Sequence, residues 1–249
     1  MPTISLNGFE MHYNVRGAGE PLVLLHGGMG IGDDWRHVFP SDPAAYRLIV
    51  PDLRGHGRST NPGGAFTFHQ CAQDVLALLD ALGVERVKAI GLSMGAKTLL
   101  HAATAEPDRI DAMVLVSATP RFPDTLRAAA AQFTPEAFDS LSGDERDVLR
   151  RRHIRGDEQI RSLYAMTRSF ATSHDDMAFT PEGLGRISAR TLIVHGDRDP
   201  LYPVEMALEL FRGIPRSALW IVPYGAHGPV FGLFAPNFAR QAMEHLQAN

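Results

Sequence analysis

The start of the chain alternates between apolar and polar residues, which predicts β-strands. The alternation runs from Ile4 to Val15 and is interrupted at Asn7-Gly8. An Asn-Gly pair tolerates the positive φ values that a tight hairpin turn requires. Residues 1–15 are therefore predicted to form two antiparallel strands at one edge of a sheet.

Beyond residue 15 the pattern changes to short, continuous apolar runs. They occupy residues 22–25, 48–50, 87–90, 112–116, 192–194 and 219–222. Such runs are typical of parallel strands that are buried on both faces. Helical patterns separate several of them, and one, with Cys71 and Leu78 on a single face, ends at Gly83. This alternation predicts an α/β fold, with a mostly parallel sheet flanked by helices and right-handed crossovers.

Residues 120–186 interrupt the alternation because they contain no convincing strand. Helix starts are recognisable at Thr134-Pro135-Glu136 and at Ser142-Gly143-Asp144-Glu145. A long helical insertion between two core strands, with apolar residues of its own, is predicted to form a cap. The predicted organisation is an α/β core of residues 1–119 and 187–249, with a helical cap at residues 120–186.

Composition and charge exclude several classes of protein. Of the 249 residues 45% are hydrophobic, which argues against disorder, and the net charge of −4 gives no electrostatic reason to bind nucleic acid or an anionic membrane. The single cysteine, Cys71, excludes an internal disulfide or a cysteine-cluster zinc site and is predicted to pack in the core. The N-terminus lacks the pattern of a signal peptide, and no run approaches the ~18 apolar residues of a membrane span. A soluble, cytoplasmic protein is expected.

The segment Gly91-Leu92-Ser93-Met94-Gly95 carries the strongest chemical signal. It directly follows an apolar run and directly precedes a helical pattern, which is the strand–turn–helix context of a nucleophile elbow. Such a turn is so tight that small residues must flank it, and it points the serine hydroxyl towards the free N–H groups of a helix N-terminus. Ser93 is therefore predicted to be a catalytic nucleophile.

A serine hydroxyl needs a base, and an acid and a histidine follow in the order that this chemistry requires. Asp197-Arg198-Asp199 comes after one buried run, and His227 comes after the last. Reactive groups collect at the carboxyl ends of parallel strands. His227 is predicted to take the proton from Ser93 and to return it to the leaving group, while one of the two aspartates steadies the imidazole. His195, at the end of its strand, is interpreted as a packed or supporting residue.

The oxyanion that forms during acyl transfer needs two N–H donors in place. One is predicted to be the backbone N–H of Met94, the residue after the nucleophile. The other is predicted in the loop His26-Gly27-Gly28-Met29-Gly30, because glycines let the backbone approach a substrate closely. Gly28 is the favoured oxyanion-hole donor, and Met29 is the alternative.

Five motifs in order make the chain resemble the α/β-hydrolase superfamily, in particular small bacterial serine carboxylesterases, cofactor-free haloperoxidase-like perhydrolases and enol-lactone hydrolases. The motifs are His26-Gly27-Gly28, Asp52-Leu53-Arg54-Gly55-His56-Gly57-Arg58-Ser59, Gly91-Leu92-Ser93-Met94-Gly95, Gly196-Asp197-Arg198-Asp199 and Gly225-Ala226-His227. The resemblance covers almost the whole chain. It implies the α/β-hydrolase fold, serine hydrolase activity without a metal or cofactor, and an acid at Asp199, with Asp197 as the alternative.

Two features are interpreted against that family pattern. Arg54, His56 and Arg58 lie in the second motif, which is a structural loop in similar proteins, so they are expected to support the site. Similar proteins usually carry a small or apolar residue at the position of Lys97. Lys97 lies four residues after Ser93, not the three of a serine–lysine pair, and is not predicted to be the base. Snorkelling to the surface and pairing with a buried carboxylate are the two alternatives for it.

Large apolar residues of the cap, and others after His227, predict an apolar substrate pocket. The predicted substrate-binding residues are Met29, Phe122, Tyr164 and Val230. At least half of the apolar cap residues are expected to pack the cap onto the core instead. An apolar acyl or alcohol group is therefore favoured over a highly charged substrate.

A basic run in the cap consists of Arg146, Arg150, Arg151, Arg152 and Arg155. Acidic residues interleave with it, so a solvated helix face is the favoured interpretation. Docking of an acidic acyl-carrier protein is the alternative. No nucleic-acid or membrane partner is expected, and the pattern makes no prediction of oligomeric state.

The first functional hypothesis is a serine carboxylesterase that cleaves small, largely apolar esters through an acyl-enzyme. A lactonase or enol-lactonase, or a hydrolase of carbon–carbon bonds in a dienone acid, would use the same triad. A serine at the elbow counts against dehalogenase and epoxide-hydrolase activity, which typically use an aspartate there. A non-catalytic small-molecule receptor is the hypothesis from a different class, since a fold alone does not prove activity.

Overall fold

One mixed β-sheet forms the centre of the protein, whose computed structural model describes residues 2–248. Met1 and Asn249, the first and last residues of the predicted core, lie outside the described residues. Within the described part the strands are β1 (Thr3–Leu6), β2 (Phe9–Gly17), β3 (Glu20–Leu25), β4 (Tyr46–Pro51), β5 (Val87–Leu92), β6 (Ile110–Val116), β7 (Arg190–Gly196) and β8 (Ser217–Val222). Their order across the sheet is β1-β2-β4-β3-β5-β6-β7-β8, so β5, which leads into Ser93, has strands on both sides.

The N-terminal hairpin forms as the alternating pattern predicts. β1 pairs with β2 in antiparallel register, with Leu6 opposite Phe9. In the turn, Asn7 and Gly8 have φ values of 47° and 78°, the left-handed region that these two residue types tolerate. β2 is also antiparallel to β4, whereas the neighbouring pairs from β4 across to β8 are parallel. The prediction of a mostly parallel sheet with an N-terminal antiparallel hairpin is confirmed.

Helices supply the connections between the parallel strands and cover both faces of the sheet. In the described part they are α1 (Phe68–Ala81), α2 (Met94–Ala105), α3 (Asp124–Ala130), α4 (Pro135–Asp139), α5 (Gly143–Arg152), α6 (Asp157–Ser169), α7 (Pro181–Gly185), α8 (Val204–Gly213) and α9 (Ala235–Gln247), with short 3₁₀ turns at Gly32–His37, Pro107–Arg109 and Gly232–Phe234. The Thr67 side chain caps α1 by accepting the N–H of Gln70, and Gly83 follows its end with a φ of 66°. Between residues 2 and 248, no helix has the length and apolar character needed to cross a bilayer.

Alternate residues of β3 face opposite sides of the sheet. Val23 and Leu25 join the apolar cluster that α1 and α2 cover, whereas Leu22 and Leu24 join the cluster that α9 covers. All four side chains are fully buried. Burial on both faces explains why this run of the sequence is continuously apolar rather than alternating.

The segment between β6 and β7 contains residues 120–186, called the cap below, and carries the helices α3 to α7. The helices α4 and α5 begin at the predicted starts, where Thr134 caps α4 and Ser142 forms a capping box with Glu145. α6 buries four of its residues, whereas α5 buries none. The cap thus combines an amphipathic helix that packs inward with a polar helix that faces solvent.

Polar contacts attach the cap to loops of the core. Nδ1 of His153 accepts the backbone N–H of Gly57 at 3.0 Å. The Asp176 carboxylate accepts the backbone N–H groups of Phe68 at 2.7 Å and His69 at 3.2 Å, where α1 begins. A carboxylate at a helix N-terminus is stabilised by the free N–H groups there, so this contact holds the far end of the cap against α1.

Candidate active site

Ser93 lies at the sharp turn between β5 and α2. Its backbone has a φ of 49° and a ψ of −100°, a strained conformation for a residue with a side chain. A Cβ atom on Gly95 would lie 2.4 Å from the carbonyl oxygen of Leu25, and one on Gly91 would lie 2.6 Å from the backbone of Gly95. Neither position leaves room for a side chain, so the two glycines of the motif follow from the packing of the turn.

Ser93, His227 and Asp199 form a continuous chain of hydrogen bonds. The Ser93 hydroxyl donates to Nε2 of His227 at 2.9 Å, and Nδ1 of His227 donates to a carboxylate oxygen of Asp199 at 2.8 Å. The other oxygen of Asp199 accepts the backbone N–H groups of Leu201 at 2.8 Å and Tyr202 at 3.1 Å. The fold thus brings together three predicted side chains, two of which lie 134 positions apart in the sequence.

The surroundings of Asp199 favour its ionised form. Burial opposes ionisation, but the hydrogen bonds from His227 and from two backbone N–H groups outweigh it, so the pKa of Asp199 lies below its ordinary value. The side chain is 0% exposed, which keeps water from competing for the contact with His227. A carboxylate at this place keeps the proton on Nδ1 of His227 and leaves Nε2 free to accept one.

Asp197, the alternative acid, occupies a different environment. Its side chain is exposed, and it makes no hydrogen bond to His227 within the described part of the chain. The neighbouring His195 is buried, and its Nε2 donates to the carbonyl of Tyr202 at 2.9 Å. Burial lowers the pKa of His195, which keeps the ring neutral. His195 therefore holds the loop that carries Asp199.

The predicted oxyanion donors, Gly28 and Met94, both line the cavity beside Ser93. Across residues 2–248, neither backbone N–H finds a hydrogen-bond partner. The carbonyl of His26 accepts the N–H of Gly95 at 3.0 Å, which ties the loop before Gly28 to the start of α2. Two free N–H groups, one on a held loop and one at a helix N-terminus, are the arrangement that stabilises an oxyanion.

A cavity of about 160 Å³, called the acyl cavity below, lies beside Ser93 between the core and the cap. Its lining consists of Gly27, Gly28, Met29, Leu92, Ser93, Met94, Lys97, Leu201, Tyr202 and His227 from the core, and Leu126, Ala129, Ala130, Phe133, Thr167 and Phe170 from the cap. An engineered cavity of about 150 Å³ holds one benzene molecule, so this space suits a group of about six carbon atoms. Most of the wall is apolar.

Of the predicted substrate-binding residues, Met29 lines the acyl cavity, whereas Phe122, Tyr164 and Val230 do not. Phe122 packs against Phe170, with ring centroids 5.3 Å apart. Tyr164 packs within the cap, and Val230 belongs to the core cluster that α9 covers. The structure thus places these three side chains in packing contacts away from the acyl cavity, because apolar character alone does not identify which residues line it.

Sequence reasoning missed a buried polar pair in the wall of the acyl cavity. Lys97 is 3% exposed, and its Nζ donates to the Tyr202 hydroxyl at 2.6 Å. Both predicted alternatives for Lys97 are wrong: the ammonium does not reach the surface, and no carboxylate among residues 2–248 lies within ion-pair distance of it. Burial lowers the pKa of Lys97 to about 7, although Asp176 and Asp199 act in the opposite direction. A charged residue in a mostly apolar helix, one turn after the elbow, was the available signal.

A second cavity, of about 480 Å³, shares Gly27, Gly28 and Leu92 with the acyl cavity but does not include Ser93. Its other lining residues are His26, Gly30, Asp34, Trp35, His37, Arg152, Phe231 and Gly232. The two cavities meet at the loop that carries the predicted oxyanion donor. Space for a substrate therefore extends beyond the acyl cavity on the far side of this loop.

Hydrogen bonds within the core hold the loop that contains Arg54, His56 and Arg58. The Arg54 guanidinium makes two hydrogen bonds to Asp74, at 2.8 and 2.9 Å, and both side chains are buried. Nδ1 of His56 bonds the carbonyl of Arg54 at 3.0 Å, and the N–H of Arg58 donates to Asp52 at 2.9 Å. These contacts position the loop and leave its side chains outside the acyl cavity.

Two of the five arginines in the basic run of the cap pair with nearby acids. Arg150 pairs with Asp157 at 2.8 Å and with Asp147 at 3.3 Å. Arg152 pairs with Asp34 of the core at 3.0 Å. Because these two arginines already have acidic partners, they support the interpretation of a solvated face more than that of a docking surface for an acidic partner.

The arrangement around Ser93 can support nucleophilic chemistry at a carbonyl carbon. It supplies a hydroxyl, a base in contact with it, a carboxylate behind the base and free N–H donors for a developing anion. Among residues 2–248, no three His, Cys, Asp or Glu side chains cluster as metal ligands would.

A mostly parallel sheet whose central strand leads into such a turn defines a hydrolase built on an α/β core. The family described as alpha/beta hydrolase fold matches residues 20–154 of the sequence, which is more than half of the chain. The protein therefore belongs to the alpha/beta hydrolase fold family, and the resemblance inferred from its motifs is confirmed.

Individual relatives resemble the chain over nearly its whole length. It is 30% identical to 2-hydroxy-6-oxononadienedioate/2-hydroxy-6-oxononatrienedioate hydrolase 2 of Pseudomonas putida, over 96% of this chain and 92% of the relative. It is 27% identical to a 2-hydroxy-6-oxo-6-(2'-aminophenyl)hexa-2,4-dienoic acid hydrolase of Metapseudomonas resinovorans, over 90% and 83%. Among solved structures, the enol-lactonase of Burkholderia xenovorans aligns with a TM-score of 0.82 at 23% identity, covering 99% of this chain and 100% of that one, and so shares the fold.

Proposed function

We propose that this hydrolase is a serine carboxylesterase that cleaves esters with short, largely apolar acyl groups through an acyl-enzyme intermediate. The observation that carries the proposal is the chain of hydrogen bonds from Ser93 through His227 to Asp199, at 2.9 and 2.8 Å, beside a small cavity. Such a chain converts a weakly nucleophilic hydroxyl into a reactive one.

In the first half of the reaction, Oγ of Ser93 attacks the ester carbonyl carbon while Nε2 of His227 takes the hydroxyl proton. The carbonyl electrons move onto oxygen, and the N–H groups of Gly28 and Met94 bind the resulting oxyanion. The carbon–oxygen bond to the alcohol then breaks as His227 returns the proton to the departing oxygen. Ser93 is left as an acyl ester.

In the second half, a water molecule attacks the acyl-enzyme and gives a proton to Nε2 of His227. The second oxyanion collapses, the bond to Oγ of Ser93 breaks, and His227 returns the proton to that oxygen. Through both halves the Asp199 carboxylate stabilises the imidazolium and holds its orientation. The lowered pKa of Asp199 supports this role, because the group stays ionised throughout.

The acyl cavity supports a preference for short acyl groups. At about 160 Å³ it accommodates a chain of roughly six carbon atoms, and its cap-side wall is apolar apart from Thr167. The larger adjoining cavity offers space for the alcohol portion of the ester. A short acyl group with a bulkier alcohol therefore fits the two spaces best.

Hydrolysis of a lactone, or of a carbon–carbon bond in a dienone acid, is the second candidate function. It would use the same three side chains, and the relatives from Pseudomonas putida and Metapseudomonas resinovorans, both named as hydrolases of dienoic or dienedioic acids, favour it. Only the substrate that the cavities accept separates it from ester hydrolysis.

The test combines active-site labelling with a substrate panel. A fluorophosphonate probe is expected to label the wild-type protein and not Ser93→Ala. Rates for p-nitrophenyl esters from acetate to decanoate are expected to peak at short chains, and Ser93→Ala should lose at least about 10⁴-fold in kcat/KM. Simple lactones belong in the same panel.

Ser188→Ala is the matched control, because this serine is exposed and its hydroxyl bonds only the carbonyl of Pro107 within the described chain. It should be labelled and active like the wild type. Equal labelling of Ser93→Ala, or no labelling of the wild type, would contradict the proposal. Hydrolysis of lactones without hydrolysis of esters would transfer the assignment to the second candidate function.

A further inference from the structure

Lys97 is a buried charged side chain that the proposed ester hydrolysis does not use. It stands on α2 four residues after Ser93, so the two residues lie on the same side of the helix, one turn apart. Its side chain is 3% exposed, and it lines the acyl cavity together with Ser93. The cavity therefore has a cationic group in a wall that is otherwise mostly apolar.

The ammonium group of Lys97 has more donors than the protein satisfies. It can donate three hydrogen bonds, and among residues 2–248 it donates one, to the Tyr202 hydroxyl at 2.6 Å. Four aromatic rings surround Nζ, with centroids at 4.7 Å (Phe68), 5.1 Å (Tyr202), 5.3 Å (Phe122) and 5.9 Å (Phe170). Aromatic rings attract a cation but accept no full hydrogen bond, so two of the three donors have no conventional acceptor among residues 2–248.

The charge of Lys97 is also incompletely compensated. The carboxylates of Asp176 and Asp199 attract the ammonium electrostatically without contacting it, and both already accept hydrogen bonds from other donors. Burying an ammonium without a contacting anion is costly unless the group loses its proton or gains a partner. The fold keeps Lys97 at this position despite that cost, which a ligand with a negative charge would offset.

We propose that Lys97 and Tyr202 form an anion-binding subsite of the acyl cavity, and that among short acyl groups the enzyme prefers those whose apolar chain ends in a carboxylate. This inference rests on the proposed ester hydrolysis. One oxygen of the substrate carboxylate accepts hydrogen bonds from the free N–H groups of Lys97. Its other oxygen accepts a hydrogen bond from the Tyr202 hydroxyl, whose own oxygen already accepts one from Lys97. The apolar lining contacts the methylene groups between the carboxylate and the ester.

The size of the acyl cavity limits the length of that acyl chain. The Tyr202 hydroxyl contacts Lys97 directly, and both side chains line the cavity of about 160 Å³ together with Ser93. The anion subsite and the reacting oxygen therefore share one small space. Half-esters of short dicarboxylic acids, with two or three methylene groups, fit it better than longer ones.

The first test compares substrates of equal shape and different charge. Monomethyl succinate carries a carboxylate at the position where methyl 4-methylpentanoate carries an isopropyl group. A pH-stat measures the rate of hydrolysis of each ester. The wild type is expected to prefer the anionic ester by about 10- to 100-fold in kcat/KM, as a charge-assisted hydrogen bond in a desolvated site allows. Lys97→Met should abolish or reverse that ratio.

Lys88→Met is the matched control, because Lys88 and Lys97 are the two lysines of the sequence and Lys88 pairs at 2.7 Å with Glu20, away from the cavity. The control should keep the wild-type ratio. Monomethyl glutarate and monomethyl adipate extend the series, and the ratio is expected to fall at adipate. An unchanged ratio in Lys97→Met would overturn the subsite while leaving ester hydrolysis intact.

A second measurement does not depend on catalysis or on folding of the Lys97 variant. Carbon-13 labelling of the two lysines gives two ε-carbon NMR signals, which Lys88→Met assigns, and the signal of Lys97 is followed against pH in Ser93→Ala. Addition of monomethyl succinate is expected to raise the midpoint of that titration by at least about one pH unit, because a bound anion stabilises the charged form. Methyl 4-methylpentanoate should not shift it.

The pH profile separates Lys97 from the groups that face it. Asp199, Asp176, Tyr202 and His227 are present both in the wild type and in Lys97→Met, so a pH dependence of the ratio that only the wild type shows belongs to Lys97. The ratio is expected to fall as the pH rises through the midpoint of Lys97. If no ester is hydrolysed and no probe labels Ser93, the proposed function fails, and the NMR titration still decides whether the subsite binds an anion.

Discussion

The acyl cavity has two walls that are held by different forces. The core wall consists of loops and helix ends fixed by short hydrogen bonds, such as those from Ser93 to His227 and from Leu201 to Asp199. The cap wall consists of apolar side chains of α3 and of the residues that follow α3 and α6, together with Thr167 of α6. Hydrogen bonds fix atoms to within fractions of an ångström, whereas packing tolerates changes of shape.

The comparison shows that the core wall positions the reactive groups and that the cap wall selects among acyl groups. Proton transfer from Ser93 fails if the atoms are displaced by about 1 Å, so the reactive groups sit where backbone and side chains are fixed together. Selection among acyl groups needs only a suitable shape, which the cap provides. The Lys97 and Tyr202 pair is the exception, since it adds a directional polar contact to the otherwise apolar end of the cavity.

The largest expected effect comes from the carboxylate of the core wall. Asp199→Asn should lower kcat for a short p-nitrophenyl ester by about 10⁴-fold, because an amide at this position favours the wrong tautomer of His227. Steady-state rates measure the loss. Asp197→Asn, an exposed neighbour of the same type, should stay within about threefold of the wild type. Equal losses in the two variants would show that the assignment of the acid is wrong.

The next largest effect concerns the turn that holds Ser93. Gly95→Ala should destabilise the protein by about 3 kcal/mol, because its Cβ would lie 2.4 Å from the Leu25 carbonyl oxygen. Urea unfolding measures the change. Gly185→Ala in the cap, where an added Cβ meets no atom within 4 Å, should be neutral or slightly stabilising. A well-tolerated alanine at position 95 would show that the core wall is less tightly packed than described.

Low pH should destabilise both the core and the cap, because each contains a buried histidine whose pKa is lowered. Burial lowers the pKa of His26 in the core and of His153 in the cap from 6.5 to about 4. Between these values the unfolded chain binds more protons than the folded one, so stability is fully present above pH 6.5 and is lost as the pH falls towards about 4. Each ring should contribute about 1.4 kcal/mol per pH unit.

Urea midpoints measured across that pH range test the expectation. His153→Gln keeps an acceptor for the N–H of Gly57. The slope of the unfolding free energy against pH reports how many more protons the unfolded chain binds, and this number should fall by about one in the variant. The buried His56, whose pKa burial lowers in the same direction, should keep its own contribution in that variant. An unchanged slope would mean that His153 is already protonated, or accessible to water, in the folded protein.

The smallest effect is expected from the cap wall. Phe133→Ala should enlarge the acyl cavity and shift the preference from p-nitrophenyl butyrate towards the octanoate by about 10-fold in the ratio of kcat/KM, while labelling by a fluorophosphonate stays complete. Phe211→Ala, which changes a phenylalanine that is 40% exposed on α8, is the control and should leave the ratio unchanged. A loss of labelling in Phe133→Ala would show that the cap also positions the reactive groups.

Much of the fold follows from local patterns in the sequence. The hairpin at Asn7-Gly8, the continuous run of β3 and the small residues around Ser93 each report a constraint that a few neighbouring residues impose. The order of Ser93, Asp199 and His227 likewise follows the order of strand ends along the chain. Periodicity, turn chemistry and sequence order are readable without coordinates because they depend on short stretches of backbone.

The lining of the acyl cavity does not follow from such patterns. Phe122, Tyr164 and Val230 are as apolar as Leu126 and Phe133, yet only the latter two line the cavity within the described chain. Which face of a cap helix meets the cavity depends on how the cap packs on the core, over contacts between residues far apart in sequence. Composition gives no access to that packing.

The sequence by itself determined the α/β sheet, the strained turn at Ser93 and the side chains available for acyl transfer, because each is specified by residues close together or by their order. Only the tertiary structure decided that Lys97 lines the acyl cavity and meets Tyr202 at 2.6 Å, 105 positions further along the chain. The physical reason is that the burial and the partners of a charged side chain are set by elements that the chain brings together on folding.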